Sequence, residues 1–150
     1  MYMFFYLLLA IIGGTCIGLQ AGINGVLGKR IGVIEASFVS FFIGTIILLL
    51  LVIFAGKGNI LNVTNVPKWQ LLGGALGVAY VSIMVAIVPK IGVASAITAV
   101  IVGQLVISVT LDHFGIFTNQ RIPIDWYRIS GLCLLLVSLL LIFKGNIKWF

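Results

Sequence analysis

Five apolar stretches occupy nearly the whole chain, at about 3–27, 36–54, 69–88, 94–111 and 126–143. Each is close to the ~20 residues that carry a helix across a ~30 Å hydrocarbon layer. The expected fold is therefore an all-α integral membrane protein, with five transmembrane helices in one domain of 150 residues. A composition that is 62% hydrophobic and 8% charged leaves no room for a soluble core with a polar surface. The basic residues between the stretches are balanced. One side of the membrane receives Lys29, Arg30, Lys90, Lys144 and Lys148, and the other Lys57, Lys68, Arg121, Arg128 and the N-terminal amine. Orientation follows an excess of Lys and Arg on one side, and here there is almost none. The chain is expected to insert both ways, so that two opposed copies make one symmetric ten-helix object.

A net charge of +6 on a soluble protein would suggest nucleic-acid binding. These basic residues sit singly in turns and form no stripe, so they read as headgroup anchors, with membrane lipid and not nucleic acid as the partner. Trp69, Trp126 and Trp149 fall at predicted helix ends, where an aromatic belt lies. The apolar run from Met3 has no basic lead and outlasts a signal-peptide core, so helix 1 is expected to be retained. Cys16 and Cys133 fall inside spans and read as free, buried small residues, with a disulfide between helices 1 and 5 as the alternative. No Cys/His spacing suits a metal, and no Ser/His/Asp constellation or phosphate-cradling glycine loop is present. The reading is non-enzymatic, with no cofactor and no metal.

Polar side chains inside the spans are costly unless satisfied. Cys16, Gln20 and Asn24 repeat every four residues on helix 1, and Gln104, Ser108 and Asp112 do so on helix 4. Gly14, Gly18 and Gly22 make a second stripe on helix 1, and Gly103 continues a small face on helix 4, both suited to close helix packing. Helix 2 offers Ser37, Ser40 and Gly44. Two roles fit Gln20, Asn24, Gln104 and Ser108: they line a polar cavity, or they bond helices together. Glu35 opens helix 2 as a capping charge, with Lys29 or Arg30 as candidate partner. Asp112 has Arg121 or a cation of a second chain as candidate partner, and is also a candidate proton carrier, as is Glu35. His113, beside Asp112, points about 100° away from it on a helix, which argues against a catalytic dyad.

The predicted turns are 28–35, 56–68, 89–93 and 115–125. Their shortness makes successive helices antiparallel. A short repeat marks the first and third of them. "KRIGVIEASFVS" (29–40) and "PKIGVASAIT" (89–98) share a basic residue, Ile-Gly-Val and Ala-Ser, at an offset close to sixty. Internal repeats recur in transporter folds. Helix 5, with "GLCLLLVSLLLIF" (131–143), has no polar stripe and is expected to face lipid or another helix.

The segment "GQLVISVTLDHFG" (103–115), with "GLQAGINGVLGKRIG" (18–32), "ASFVSFFIGT" (36–45) and "WQLLGGALGVAYV" (69–81), resembles the YdcZ-like family. That is the five-helix bacterial branch of the drug/metabolite transporter superfamily. The resemblance implies half of a ten-helix fold with a central cavity, completed by antiparallel pairing in the bacterial plasma (inner) membrane. The pair is a homodimer or a heterodimer with a sister chain. Four-helix multidrug members of the superfamily carry a glutamate within helix 1, and this chain has only Gln20 and Asn24 there. The expected function is a secondary transporter moving a small polar solute by alternating access. The alternatives are a proton-coupled exporter of organic cations and a non-transporting subunit that stabilises a partner. The charge balance has a direct test. Single cysteines at the C-terminus should label from both faces, and two or three Lys added to one set of turns should make labelling one-sided. Uniform one-sided labelling of the unmodified chain would exclude dual topology.

Overall fold

The computed structural model describes residues 2–117 and 121–147. Lys148, Trp149 and the N-terminal amine, which enter the charge and belt arguments, lie outside them. The described residues form five helices long and apolar enough to cross a membrane. These are α1 (Tyr2–Ile31), α2 (Val33–Ala55), α3 (Leu72–Ile91), α4 (Val93–Phe114) and α5 (Trp126–Ile147). Two 3-10 helices, Ile60–Asn65 and Lys68–Leu71, lie between α2 and α3. At 30 residues, α1 is about 45 Å long, which exceeds the hydrocarbon layer and requires tilt or protrusion.

Two of the expected turns shrink to one residue. α1 continues through Lys29 and Arg30, whose charges suit the carbonyl end of a helix, and stops at Ile31. Gly32 alone separates it from α2. α3 likewise runs through Pro89 to Ile91, and Gly92 alone separates it from α4. The basic residues and the proline mark the last helical turn and not the loop. Both glycines hold a backbone reserved for residues without a Cβ, φ 106° and ψ 156° at Gly32 and φ 80° and ψ 158° at Gly92. The break wastes no hydrogen bond at Gly32. Its N–H donates to the Gly28 carbonyl at 3.0 Å, and its carbonyl accepts from Ala36 N–H at 3.1 Å. Gly92 accepts from Ala96 N–H at 3.2 Å in the same way, and Ala36 and Ala96 are both fully buried. The repeat seen in the sequence is thus a repeated helix joint, in register at an offset of sixty through Ile-Gly-Val to the buried alanine.

The chain divides into two compact units, Met1–Lys90 and Ile91–Phe150. In the first, α1 and α2 form a V with Gly32 at its vertex. Asn24 and Ser40, each eight residues from Gly32, meet between the arms. α3 crosses the base of the V. Gly77 lies against Phe41 of α2, with ring carbons 3.5 and 3.8 Å from where a Cβ would stand. Val81 and Val85 form the core with Ala36, flanked by Leu27, Val33, Phe41 and Tyr80. Val85 then fits against Gly28, and Val88 against Gly25, of α1. The glycines that allow close packing inside this unit are therefore Gly25 and Gly28. Nothing described lies within 4 Å of a Cβ built at Gly14, Gly18 or Gly103.

In the second unit α5 packs along α4. α4 ends in a Schellman motif. Gly115 is left-handed at φ 64°, its N–H bonds to the Asp112 carbonyl, and Ile116 N–H bonds to the Leu111 carbonyl. Thr98 and Thr110 donate their hydroxyls back to Ala94 and Val106 within α4, which removes their cost in an apolar setting. Cys16 and Cys133 are free thiols on exposed helix surface, not buried as expected, because α1 and α5 present those faces outward.

Gly32→Ala and Gly92→Ala should each destabilise the protein by about 1–3 kcal/mol through backbone strain. Gly28→Leu should cost at least as much by displacing Val85. Gly14→Ala, with open space around it, should leave the monomer's thermal midpoint in detergent unchanged. Equal midpoints for all four variants would remove the joint from its proposed structural role.

Candidate functional site

Between the arms of the V, beyond the Asn24–Ser40 contact, α1 and α2 separate into a cleft of about 200 Å³. Its wall consists of Gln20 from α1 and Ser40, Phe41, Gly44, Thr45 and Leu48 from α2. The geometry follows from the register. Gln20 and Gly44 each stand twelve residues from Gly32, so the glycine lies opposite the amide and leaves the space a side chain would fill. None of the lining residues is ionisable. The cleft offers a carboxamide, two hydroxyls, an aromatic ring and aliphatic carbon.

The four polar residues singled out in the sequence fall into different situations. Asn24 is only 6% exposed, and its Nδ2 donates to Ser40 Oγ at 3.1 Å. That bond ties α1 to α2 and leaves the Ser40 hydroxyl free to donate into the cleft. Gln20 is exposed at the cleft and makes no hydrogen bond to another described residue. Gln104 and Ser108 are exposed on α4 and make none either. They hold, sixty residues later, the register positions that Gly44 and Leu48 hold on α2. The repeat thus gives the wall positions of the first joint's cleft to Gln104 and Ser108 after the second joint. Ser40, Gly44 and Thr45 complete the site around Gln20. Thr45 is the one that sequence reasoning passed over, because it lies off the Ser37/Ser40/Gly44 face considered there.

The acidic residues are engaged elsewhere. Glu35 lies in the first turn of α2, exposed, with its carboxylate over Gly32, where a Cβ would collide with it. Among the described residues it pairs with neither Lys29 nor Arg30. It sits at a helix N-terminus, where a negative charge is favoured. Asp112 pairs with Arg128 of α5, Oδ2 to NH1 at 3.3 Å, and not with Arg121. Arg128 lies in the first turn of α5, so the pair bridges α4 and α5 directly. The same corner holds three more bonds. The Asp112 carbonyl accepts from Ile122 N–H at 3.0 Å, His113 Nδ1 accepts from Ile124 N–H at 3.3 Å, and Asp125 Oδ1 caps α5 by accepting from Arg128 N–H at 2.8 Å. The sequence Asp-His-Phe-Gly is thereby accounted for as a corner that ends α4 and starts α5. His113 is an acceptor for the loop backbone and takes no part in a dyad with Asp112.

A family model described as "Putative inner membrane exporter, YdcZ" matches residues 5–141. The chain belongs to this family. No curated protein and no solved structure matches it. Membership agrees with the five helices long and apolar enough to cross a membrane and places the protein in the inner membrane, in a family described as an exporter family. The matched region contains both glycine joints, the cleft and the Asp-His-Phe-Gly corner.

For a YdcZ family member built this way, Asn24→Leu and Gln20→Leu should differ. The first removes an interhelical hydrogen bond, worth about 1 kcal/mol in membrane bundles, and should lower the thermal midpoint. Gln20→Leu breaks no bond to another described residue and should leave the midpoint in place. Matching losses in the two variants would show that Gln20 is structural as well.

Proposed function

We propose that the chain is a secondary transporter that exports a small neutral or zwitterionic polar solute by alternating access, with two antiparallel copies enclosing the path. The observation that carries this reading is the α1–α2 cleft, which is lined by hydrogen-bonding groups without a charge. Gln20, Gln104 and Ser108 contact the solute, and Asn24 positions the Ser40 hydroxyl. Capture of an organic cation by charge would require a carboxylate in that wall. Glu35 and Asp112 are instead occupied at a helix start and in an ion pair. The polar-solute reading is therefore favoured over proton-coupled export of cations.

A single copy supplies five helices, and the ten-helix cavity implied by the family requires two. Gly14, Gly18 and Gly103 have open space in front of them, as close approach of another helix requires. Gly22, on the same stripe, is half-buried. The balanced Lys and Arg count supports opposed insertion, and a homodimer is the simplest pair it allows. Export is the direction given by the family description.

A metabolite screen by thermal shift identifies ligands, since a solute that binds only the folded state raises its stability. Transport of a hit is then measured in liposomes. Gln20→Leu and Gln104→Leu should weaken transport tenfold to a hundredfold, the effect of losing a contact of about 1–3 kcal/mol, with the dimer intact. Reduced dimer yield with normal transport by the surviving protein would make these residues structural. Transport only when a sister chain is present would replace the homodimer by a heterodimer. Asp112→Asn should lower stability and leave the pH dependence of transport unchanged. Loss of pH dependence with solute exchange retained would assign Asp112 the proton.

A further inference from the structure

The segment between α2 and α3 carries the exposed apolar side chains of Ile60, Leu61 and Val63. We propose that residues 57–69 form a clip that lies in the plane of the membrane surface and binds anionic phospholipid. Three observations carry this. The first is position. The segment follows the candidate span Val33–Ala55 and overlaps the first residues of the span Lys68–Ile91, so both of its ends are fixed at one face of the bilayer.

The second is amphipathicity matched to its own helix type. A 3-10 helix has three residues per turn, so residues three apart align. In Ile60–Asn65 this aligns Ile60 with Val63 and Asn62 with Asn65, with Leu61 and Thr64 between. Ile60 and Leu61 are 67% and 74% exposed. Within the turn, Asn59 Oδ1 accepts from Leu61 N–H at 3.0 Å and Thr64 donates to the Leu61 carbonyl at 3.0 Å. The turn therefore forms without a protein partner and presents its apolar side chains outward. A lipid interface covers such side chains at no cost in unpaired polar groups.

The third is charge. Lys57 and Lys68 flank the turn, and residues 56–71 contain no Asp or Glu. Long lysine stems let the ammonium groups reach phosphates while the backbone stays at the acyl boundary. A cleft of about 280 Å³, lined by Val52, Gly56, Gly58, Asn59 and Ile60, opens between the end of α2 and the turn. It gives the upper part of an acyl chain a place beside Lys57.

The test uses the full chain with Cys16→Ser and Cys133→Ser, in nanodiscs, where both faces meet the solution. A fluorophore is attached at Leu61→Cys, Val63→Cys, Asn62→Cys or Asn65→Cys. The labels at 61 and 63 should be quenched by spin-labelled lipid and protected from iodide, and those at 62 and 65 the reverse. Spin-labelled phosphatidylglycerol should quench the label at 61 more than spin-labelled phosphatidylcholine. Lys57→Gln and Lys68→Gln should each reduce that preference about fivefold. Iodide access at all four sites would make the segment an ordinary solvated loop and overturn the proposal. Protection from both quenchers would mean that protein covers it, as a lid or a seam between copies, and would also overturn it. Equal quenching by the two lipids would remove the anionic component.

Discussion

The first unit depends on the backbone of Gly32. With φ at 106° and ψ at 156°, the residue turns the chain in one step while its N–H still bonds to Gly28 and its carbonyl to Ala36. A one-residue joint that keeps the N–H and carbonyl of Gly32 paired leaves that residue with no unpaired peptide group. It also fixes the register of everything that follows. Asn24 meets Ser40 because both are equidistant from the vertex, and Gln20 faces Gly44 for the same reason. α3 then closes the base through Val81, Val85 and Val88, the last two fitting against glycines of α1.

The same device recurs at Gly92 and sets the register of α4. A helix leaving an equivalent joint presents equivalent positions, and Gln104 and Ser108 replace Gly44 and Leu48 in that register. The first cleft owes its space to a glycine. The repeat puts an amide at the matching place. At the same distance from its joint, α2 carries a glycine and α4 an amide.

The Asp-His-Phe-Gly corner shows how a specific-looking motif is used for architecture. Its glycine takes the left-handed turn, its aspartate holds Arg128 and Ile122, and its histidine holds Ile124. These three residues each satisfy the backbone or a charge at a helix end. A chain of several spans needs firm corners between them, and geometry alone accounts for these residues at such a corner without any reactivity.

The sequence alone determined the number and kind of spans, the family and the existence of a repeat. Hydrophobic length and the placement of basic residues depend only on the bilayer, which acts on every segment alike. The amide stripes on α1 and α4 were legible for the same reason, since polar atoms in a span require an account. Only the tertiary structure decided which of those amides is spent on packing. Asn24 and Gln20 have the same spacing and nearly the same chemistry, but the arms of the V touch at one and have parted at the other. Gly25 and Gly28, not the more regular stripe at Gly14 and Gly18, receive a neighbour, because α3 crosses near the vertex. Arg128, not Arg121, meets Asp112, because it lies in the first turn of α5, which packs along α4. Contacts of this kind depend on where two helices cross, and a one-dimensional pattern does not carry that angle.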